Sequence, residues 1–133
     1  MTVLLVDVAN TVGSRPDGWW RDRAGATTRL LTRLAALSGA RLAGPDGAPV
    51  PVTALVAVVE GGARDAEAPA GVRVVRASGI GDDALAAVAE DLADGDDDLL
   101  VVTADRGLRT RLPVRARVAG PGWLLAAADR AES

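Results

Sequence analysis

Apolar and polar residues alternate along the chain in short blocks that predict strands followed by helices. The first apolar run, residues 3–8, is too uniform for a strand with one wet face and is typical of a central parallel strand. Further runs rich in Val and Leu follow at intervals, separated by turns that contain Gly and Pro. The predicted strands are residues 3–8, 52–59, 72–75, 99–103 and 114–118.

Between these runs, Leu and Ala recur at the spacing of helices. The predicted helices are residues 24–37, 82–95, 105–112 and 122–130, each with approximate ends. Strands that alternate with helices imply right-handed crossovers and a parallel sheet covered on both faces. The pattern therefore predicts an α/β fold, and the length of 133 residues fits one domain over residues 1–133.

The composition limits the chemistry that this chain can perform. It contains no Cys and no His, and all fifteen of its basic residues are Arg. Disulfides, thiolate metal sites, imidazole bases and Schiff-base lysines are therefore excluded. An enzyme built from this sequence must use carboxylates, hydroxyls, Arg, the backbone and a bound ion or cofactor.

Charge and the first residues bear on partners and location. The net charge of −3 gives no overall attraction to nucleic acid, so any such binding must rest on local Arg residues, with a metal offsetting the acids. Residues 1–10 have no basic n-region or cleavage site, and their apolar run is too short to span a membrane. We therefore expect a cytoplasmic location.

Four acidic residues are predicted to lie at one edge of the sheet. Asp7 ends the first strand and Glu60 ends the second, while Asp105 follows the fourth. Asp82 begins the helix that is entered from the third strand. Ligands of such sheets bind outside the carboxyl ends of the strands. The denser acidic run, residues 96–98, precedes a strand and is predicted to be a solvated turn at the opposite edge.

Carboxylates gathered in a cleft repel one another, and their removal from water is costly unless they protonate or bind a cation. Ligands that are all oxygen favour Mg²⁺ or Mn²⁺ over zinc. We therefore predict an acidic pocket for a hard divalent ion, with metal-assisted hydrolysis of a phosphate ester as its chemistry. Simpler roles stay open, since Asp82, Asp83 or Asp105 could cap a helix and Glu60 could be an exposed strand end.

Three motifs, in this order, resemble those of the PIN-like nucleases and specifically of their NYN branch. They are residues 7–10 (Asp-Val-Ala-Asn), 81–85 (Gly-Asp-Asp-Ala-Leu) and 101–109 (Val-Val-Thr-Ala-Asp-Arg-Gly-Leu-Arg). From the first motif to the last, the resemblance spans residues 7–109, which is most of the chain. The resemblance implies a three-layer α/β/α domain with five strands in the order 3-2-1-4-5, and a ribonuclease that depends on Mg²⁺ or Mn²⁺.

The resemblance also implies roles for individual residues. The acids that match the catalytic, metal-binding positions of the family are Asp7, Asp82 and Asp105. The residues expected to steady these acids, or to replace one of them, are Asn10, Glu60, Asp83 and Thr103. Asn10 could also be a simple turn former and Thr103 a plain strand residue. Glu60 stands where the family often has Asp, so it is expected behind the direct ligands.

The remaining predictions concern partners. Arg106 and Arg109 are candidates for holding RNA phosphates, or they are solvated surface residues. Trp19 and Trp20 could stack bases or could pack a helix or a dimer contact. Besides RNA as substrate, a homo-oligomer and an antitoxin-like partner protein are compatible with the sequence. Two alternative functions stay open, namely hydrolysis of a nucleotide or other small phosphate compound, and a non-catalytic binding or regulatory domain.

Overall fold

The computed structural model describes residues 1–63 and 65–132 and contains strands and helices in the predicted alternation. The strands are β1 (Thr2–Asp7), β2 (Arg41–Ala43), β3 (Pro49–Val59), β4 (Arg73–Arg76), β5 (Asp98–Val102) and β6 (Arg117–Ala119). The α-helices are α1 (Val8–Val12), α2 (Arg23–Ala35), α3 (Gly81–Ala93), α4 (Arg106–Arg109) and α5 (Pro121–Ala131). Single turns of 3₁₀ helix occupy Trp19–Arg21 and Gly61–Ala63.

The strands form one six-stranded sheet that is mostly parallel, which confirms the α/β class. β1 lies between β3 and β5 and pairs with both in parallel. β4 is parallel to β3 and β6 is parallel to β5. Because β1, β3, β4 and β5 run in the same direction, their carboxyl ends lie at one edge of the sheet, as the sequence predicted for the acidic residues.

The five predicted strands pair in the predicted order 3-2-1-4-5, which is β4-β3-β1-β5-β6 in the structure. The order of the complete sheet differs, because the sheet also contains β2, which the prediction lacked. It runs β2-β3-β1-β5-β6, and β4 pairs with β3 outside that path. β2 pairs antiparallel with Pro49–Pro51 at the start of β3, whereas β4 pairs with Val56–Val59 at the other end of the same strand. The length of β3, eleven residues, leaves room for both neighbours.

Two other elements depart from the prediction. Val8 was predicted to end the first strand and residues 9–12 to lie in a loop, but together they form α1, whose burial of Val8 and Thr11 overrides the poor helix propensity of β-branched residues. The last strand was predicted at residues 114–118 but begins only at Arg117, because Pro113 starts a turn in which its carbonyl accepts from the Ala116 amide.

Apolar side chains of alternate strand residues pack on opposite faces of the sheet, which places helices on both sides. In β1, Leu4 and Val6 pack in a cluster with α1, α2 and α5. Val3 and Leu5 pack in a second cluster with α3 and α4. Both faces of β1 are therefore buried, so its polar end residue Asp7 is fixed in place by the core on either side. Within the described ranges, no helix is long and apolar enough to cross a membrane.

Replacing Leu4 by Ala should destabilise the fold strongly. Leu4 is fully buried at the centre of the sheet, and loss of such a side chain typically costs about 2–5 kcal/mol of unfolding free energy because a cavity remains. Chemical denaturation measures this value. Val114→Ala, at a fully exposed position, is the control and should change stability by less than about 0.5 kcal/mol. Equal effects at the two positions would contradict the central place of β1.

Candidate active site

Four acidic side chains lie at the edge where the parallel strands end. Asp7 is the last residue of β1, and Glu60 follows β3 directly. Asp82 lies in the first turn of α3, and Asp105 immediately precedes α4. Asp7 is close enough to feel the charges of Asp82 and Glu60, and Asp82 feels those of Asp105 and Glu60. The fold therefore brings together four acids that are far apart in the sequence.

The Asp7 carboxylate is held by two hydrogen bonds that use different oxygens. Its Oδ1 accepts from the backbone N–H of Asn10 at 3.3 Å, which makes Asp7 the N-cap of α1. Its Oδ2 accepts from the Thr103 hydroxyl at 3.0 Å. The first bond explains locally why the chain turns into a helix directly after β1, and the second ties β1 to the segment after β5.

Thr103 links two of the acids through one buried hydroxyl. The hydroxyl donates to Asp7, and its oxygen accepts from the backbone N–H of Asp105 at 3.1 Å. Nearby, Asn10 Oδ1 accepts from the backbone N–H of Ala104 at 2.7 Å. Neither Thr103 nor Asn10 is thus merely a strand or turn residue. Both fix the position of the loop that carries Asp105 relative to Asp7.

The pKa of Asp7 is raised above its ordinary value of 3.8. Partial burial is the main cause, because it removes the carboxylate from water. The hydrogen bonds from Asn10 and Thr103 oppose this rise, and the negative charges of Asp82 and Glu60 add to it. The ionised form of Asp7 is therefore held in an environment that disfavours it.

Asp82 is affected in the same way by its acidic neighbours. Loss of water raises its pKa most, followed by repulsion from Asp105 and Glu60. A hydrogen bond with the Asp105 carboxyl also raises the pKa of Asp82. The positive charge of Arg111 partly offsets the repulsion. Among the acidic neighbours of Asp82, Asp105 thus contributes most to its raised pKa.

One of the site acids, Asp105, also caps a helix. Asp105 is the N-cap of α4, because its Oδ1 accepts from the backbone N–H of Leu108 at 3.1 Å. In α3 the N-cap is Ile80, so neither Asp82 nor Asp83 caps that helix. The capping role considered for Asp105 is therefore present, and the one considered for Asp82 and Asp83 is absent.

Glu60 caps α3 from outside the helix. Its carboxylate accepts from the backbone N–H of Gly81, the first residue of α3. A Cβ atom at Gly81 would lie 2.5 Å from Glu60 Oε2, so only Gly allows this approach. The contact fixes Glu60 behind Asp82 rather than as a simple exposed strand end. The Gly in the motif at residues 81–85 was the only sequence signal for it.

Four charged residues border the acids. Asp83 is largely exposed and pairs with Arg111, whose Nη2 lies 2.8 Å from Asp83 Oδ1. Sequence reasoning did not single out Arg111, although its charge reaches Asp82. Arg106 and Arg109 are exposed on α4, next to Asp105 in the chain. In the part of the chain that the structure describes, neither forms an ion pair with an acid.

The donor atoms at this edge suit a hard divalent cation in their chemistry. They are carboxylate, amide and hydroxyl oxygens, which Mg²⁺ and Mn²⁺ prefer. In residues 1–63 and 65–132, however, no three acidic side chains are placed to hold one ion as they stand. Three of the acids are instead occupied by N–H or O–H donors. The donor set fits the ion, and binding by three acids requires side-chain rotation.

The fold is similar to that of Rae1 (YacP) from Bacillus subtilis. The structures align with a TM-score of 0.74 at 18% sequence identity, over 99% of this chain and 76% of Rae1. A single-substitution mutant of Rae1 gives a TM-score of 0.70 at 20% identity, over 99% of this chain and 77% of that one. Identities this low show a shared fold alone. No known family profile matches the sequence, and no curated protein is significantly similar to it.

The raised pKa of Asp7 predicts a pH-dependent penalty on stability. The folded chain binds the Asp7 proton more tightly than the unfolded chain does, so the free energy of unfolding falls as pH rises from the ordinary carboxyl value through the raised one. Asp7→Asn removes this penalty. Without divalent metal, the variant should therefore gain stability relative to the wild type as pH rises above the ordinary carboxyl value of about 4.

Urea denaturation at several pH values measures the difference. Asp96→Asn removes one charge from an exposed turn at the opposite edge and controls for the change in net charge. If the difference between Asp7→Asn and the wild type stayed constant over these pH values, burial of the Asp7 charge would carry no penalty.

Proposed function

We propose that this protein is a divalent-metal-dependent ribonuclease that hydrolyses phosphodiester bonds of RNA at the carboxyl edge of its sheet. The observation that carries the proposal is the convergence of Asp7, Glu60, Asp82 and Asp105 at this edge, where burial first and the neighbouring acids second raise the pKa of Asp7 and Asp82. Four coupled carboxylates at a ligand-binding sheet edge stabilise the fold poorly by themselves. A divalent cation would offset the repulsion between these carboxylates and could bind the phosphate oxygens of a substrate.

The residues at this edge have distinct roles in the proposal. Mg²⁺ or Mn²⁺, when held by Asp7, Asp82 and Asp105, would supply the positive charge that lowers the pKa of the attacking water. The Thr103 hydroxyl donates to Asp7 Oδ2 and so fixes the orientation in which the Asp7 carboxylate would meet the ion. Asn10 holds the loop before Asp105 in place.

Positive side chains near the acids would bind the RNA backbone. Arg106 and Arg109 are exposed on the helix that Asp105 caps, and a guanidinium can donate two parallel hydrogen bonds to one phosphate. Arg111 is already paired with Asp83 and instead moderates the negative charge around Asp82. The local Arg residues thereby offset an overall charge that is unfavourable for RNA binding.

Two independent features support the proposal. The three sequence motifs that resemble the NYN branch of PIN-like nucleases contain Asp7, Asp82 and Asp105, and these acids lie at the same sheet edge. The fold similarity with Rae1 (YacP) supports the α/β scaffold and leaves the chemistry to the site residues.

We expect the purified protein to cleave a labelled single-stranded RNA when Mg²⁺ or Mn²⁺ is present. Asp7→Asn and Asp105→Asn should each lower the cleavage rate by about 100-fold or more, because each removes several kcal/mol of charge stabilisation. Gel analysis of the products measures the rates. Asp96→Asn, the matched change at the opposite edge, should cleave at the wild-type rate.

The outcomes separate this proposal from its rivals. Equal cleavage by the wild type and Asp7→Asn would remove the mechanism. Turnover of nucleotides with untouched RNA would select hydrolysis of small phosphate compounds instead. The same substrate panel therefore decides between the two enzymatic functions.

Metal binding itself can be tested without any substrate. A ligand that binds only the folded chain raises its stability, by about 2.7 kcal/mol at a concentration of 100 times Kd. Millimolar Mn²⁺ should therefore raise the melting temperature of the wild type and have a smaller effect on Asp7→Asn. Absence of a shift in the wild type would favour a non-catalytic binding or regulatory domain.

A further inference from the structure

A cavity of about 380 Å³ opens beside Glu60, one of the four acids. Trp19 lines it from the 3₁₀ turn before α2, and Arg23 lines it from the first residue of α2. Ile80 lines it from the start of α3, and Glu60 and Gly61 line it from the end of β3. Glu60 thus belongs both to the acidic edge and to this cavity. The volume is at the lower end of the range for small-ligand pockets, about 300–1,000 Å³, so it suits one small group.

The walls of the cavity offer flat and apolar surfaces. Trp19 is half-buried, and the Arg23 guanidinium lies over its ring at 5.3 Å from the centroid. Ile80 is 68% exposed at the rim, which is unusual for a large apolar side chain. An indole ring and a guanidinium plane are the surfaces on which proteins stack unpaired nucleobases.

The polar groups of the cavity complement the edge of a base. The Glu60 carboxylate accepts hydrogen bonds, and the Arg23 guanidinium donates them. A nucleobase presents donors and acceptors on its edge and flat apolar faces above and below. Among common groups of an RNA chain, only the base combines these properties, since the ribose and the phosphate have no flat face.

Position along the chain connects the cavity to the acids. Ala9, which also lines the cavity, lies between Asp7 and Asn10, and Ile80 lies two residues before Asp82. A base bound in the cavity would therefore place its own backbone close to the acidic edge.

We propose that this cavity binds one unpaired nucleobase of an RNA substrate, next to the phosphate that is presented to the acids. The inference rests on the proposed nuclease function and deepens it, because it names single-stranded RNA as the substrate class. A base that is paired and stacked within a duplex cannot enter the cavity, since its faces and edge are already covered.

The test measures binding of a fluorescein-labelled single-stranded RNA in EDTA, and again in Ca²⁺, by anisotropy. One nucleotide at a time is replaced by an abasic one. For the wild type, one abasic position should weaken binding more than the others do. Trp19→Ala should weaken binding of the intact RNA on the order of tenfold, the typical scale of stacking on an aromatic ring.

The decisive result is whether the effects of the Trp19 substitution and of the abasic nucleotide on binding affinity depend on each other. Trp19→Ala should make binding insensitive to the abasic position that matters for the wild type, because both changes remove the same stacking contact. Trp20→Ala is the matched control, since Trp20 touches the Trp19 ring edge-on at 5.9 Å without lining the cavity. That variant should retain wild-type binding and its dependence on the abasic position.

A second variant protects the test against misfolding of Trp19→Ala. Ile80→Ala shortens an exposed side chain and should leave the melting temperature unchanged while weakening binding at the same abasic position. The proposal is overturned if the wild type binds all abasic RNAs alike, if it binds the intact RNA in neither buffer, or if Trp19→Ala and Trp20→Ala lose the same affinity.

Failure of the proposed function is recognised separately. If the coupling is found but the wild type cleaves no RNA with Mn²⁺, the base site stands and the nuclease activity is wrong. If RNA is cleaved but no coupling is found, the nuclease stands without this base site. Loss of binding in Trp19→Ala without any dependence on abasic positions would assign the cavity to another occupant and overturn the base site.

Discussion

Repulsion between carboxylates at the end of the parallel strands is the constraint on which the rest of the structure depends. Asp7 closes a strand whose other residues are buried on both faces, so it cannot move away from Asp82 and Glu60 without disturbing the core. The cost of holding these charges together is offset only in part by hydrogen bonds and by Arg111. Such an arrangement is more easily understood as a site than as a source of stability.

The same hydrogen bonds that limit this cost also give the site its rigidity. Asp7 and Asp105 each cap a short helix, while Thr103 joins them through one hydroxyl. Capping therefore does not compete with a site role, because one oxygen of a carboxylate can cap a helix while the other faces its neighbours. The two short helices owe their positions to these acids, since four or five residues form no stable helix alone.

The sequence was sufficient to predict the α/β class and the edge at which the acids lie. Apolar blocks identified the strands, and the rule that ligands bind at carboxyl ends placed the acids. It was insufficient for β2 and α1, whose three and five residues carry too short a pattern. It also missed Arg111 and the contact between Glu60 and Gly81, because both depend on how distant elements pack. The order of the complete sheet differs from the predicted one only by the added β2, which pairs antiparallel with the start of β3.

In the proposed function, charge and shape would contribute differently to recognition of RNA at this sheet edge. The acids alone would repel RNA, and the exposed Arg residues of α4 would provide attraction that does not distinguish one phosphate from another. Selectivity would then have to come from a surface that recognises something other than the backbone. The cavity bordered by Trp19 and Ile80 is the surface we propose for this role, and Glu60 connects it to the acids. Discrimination between paired and unpaired RNA would thus arise from the size of one cavity rather than from the charge of the protein.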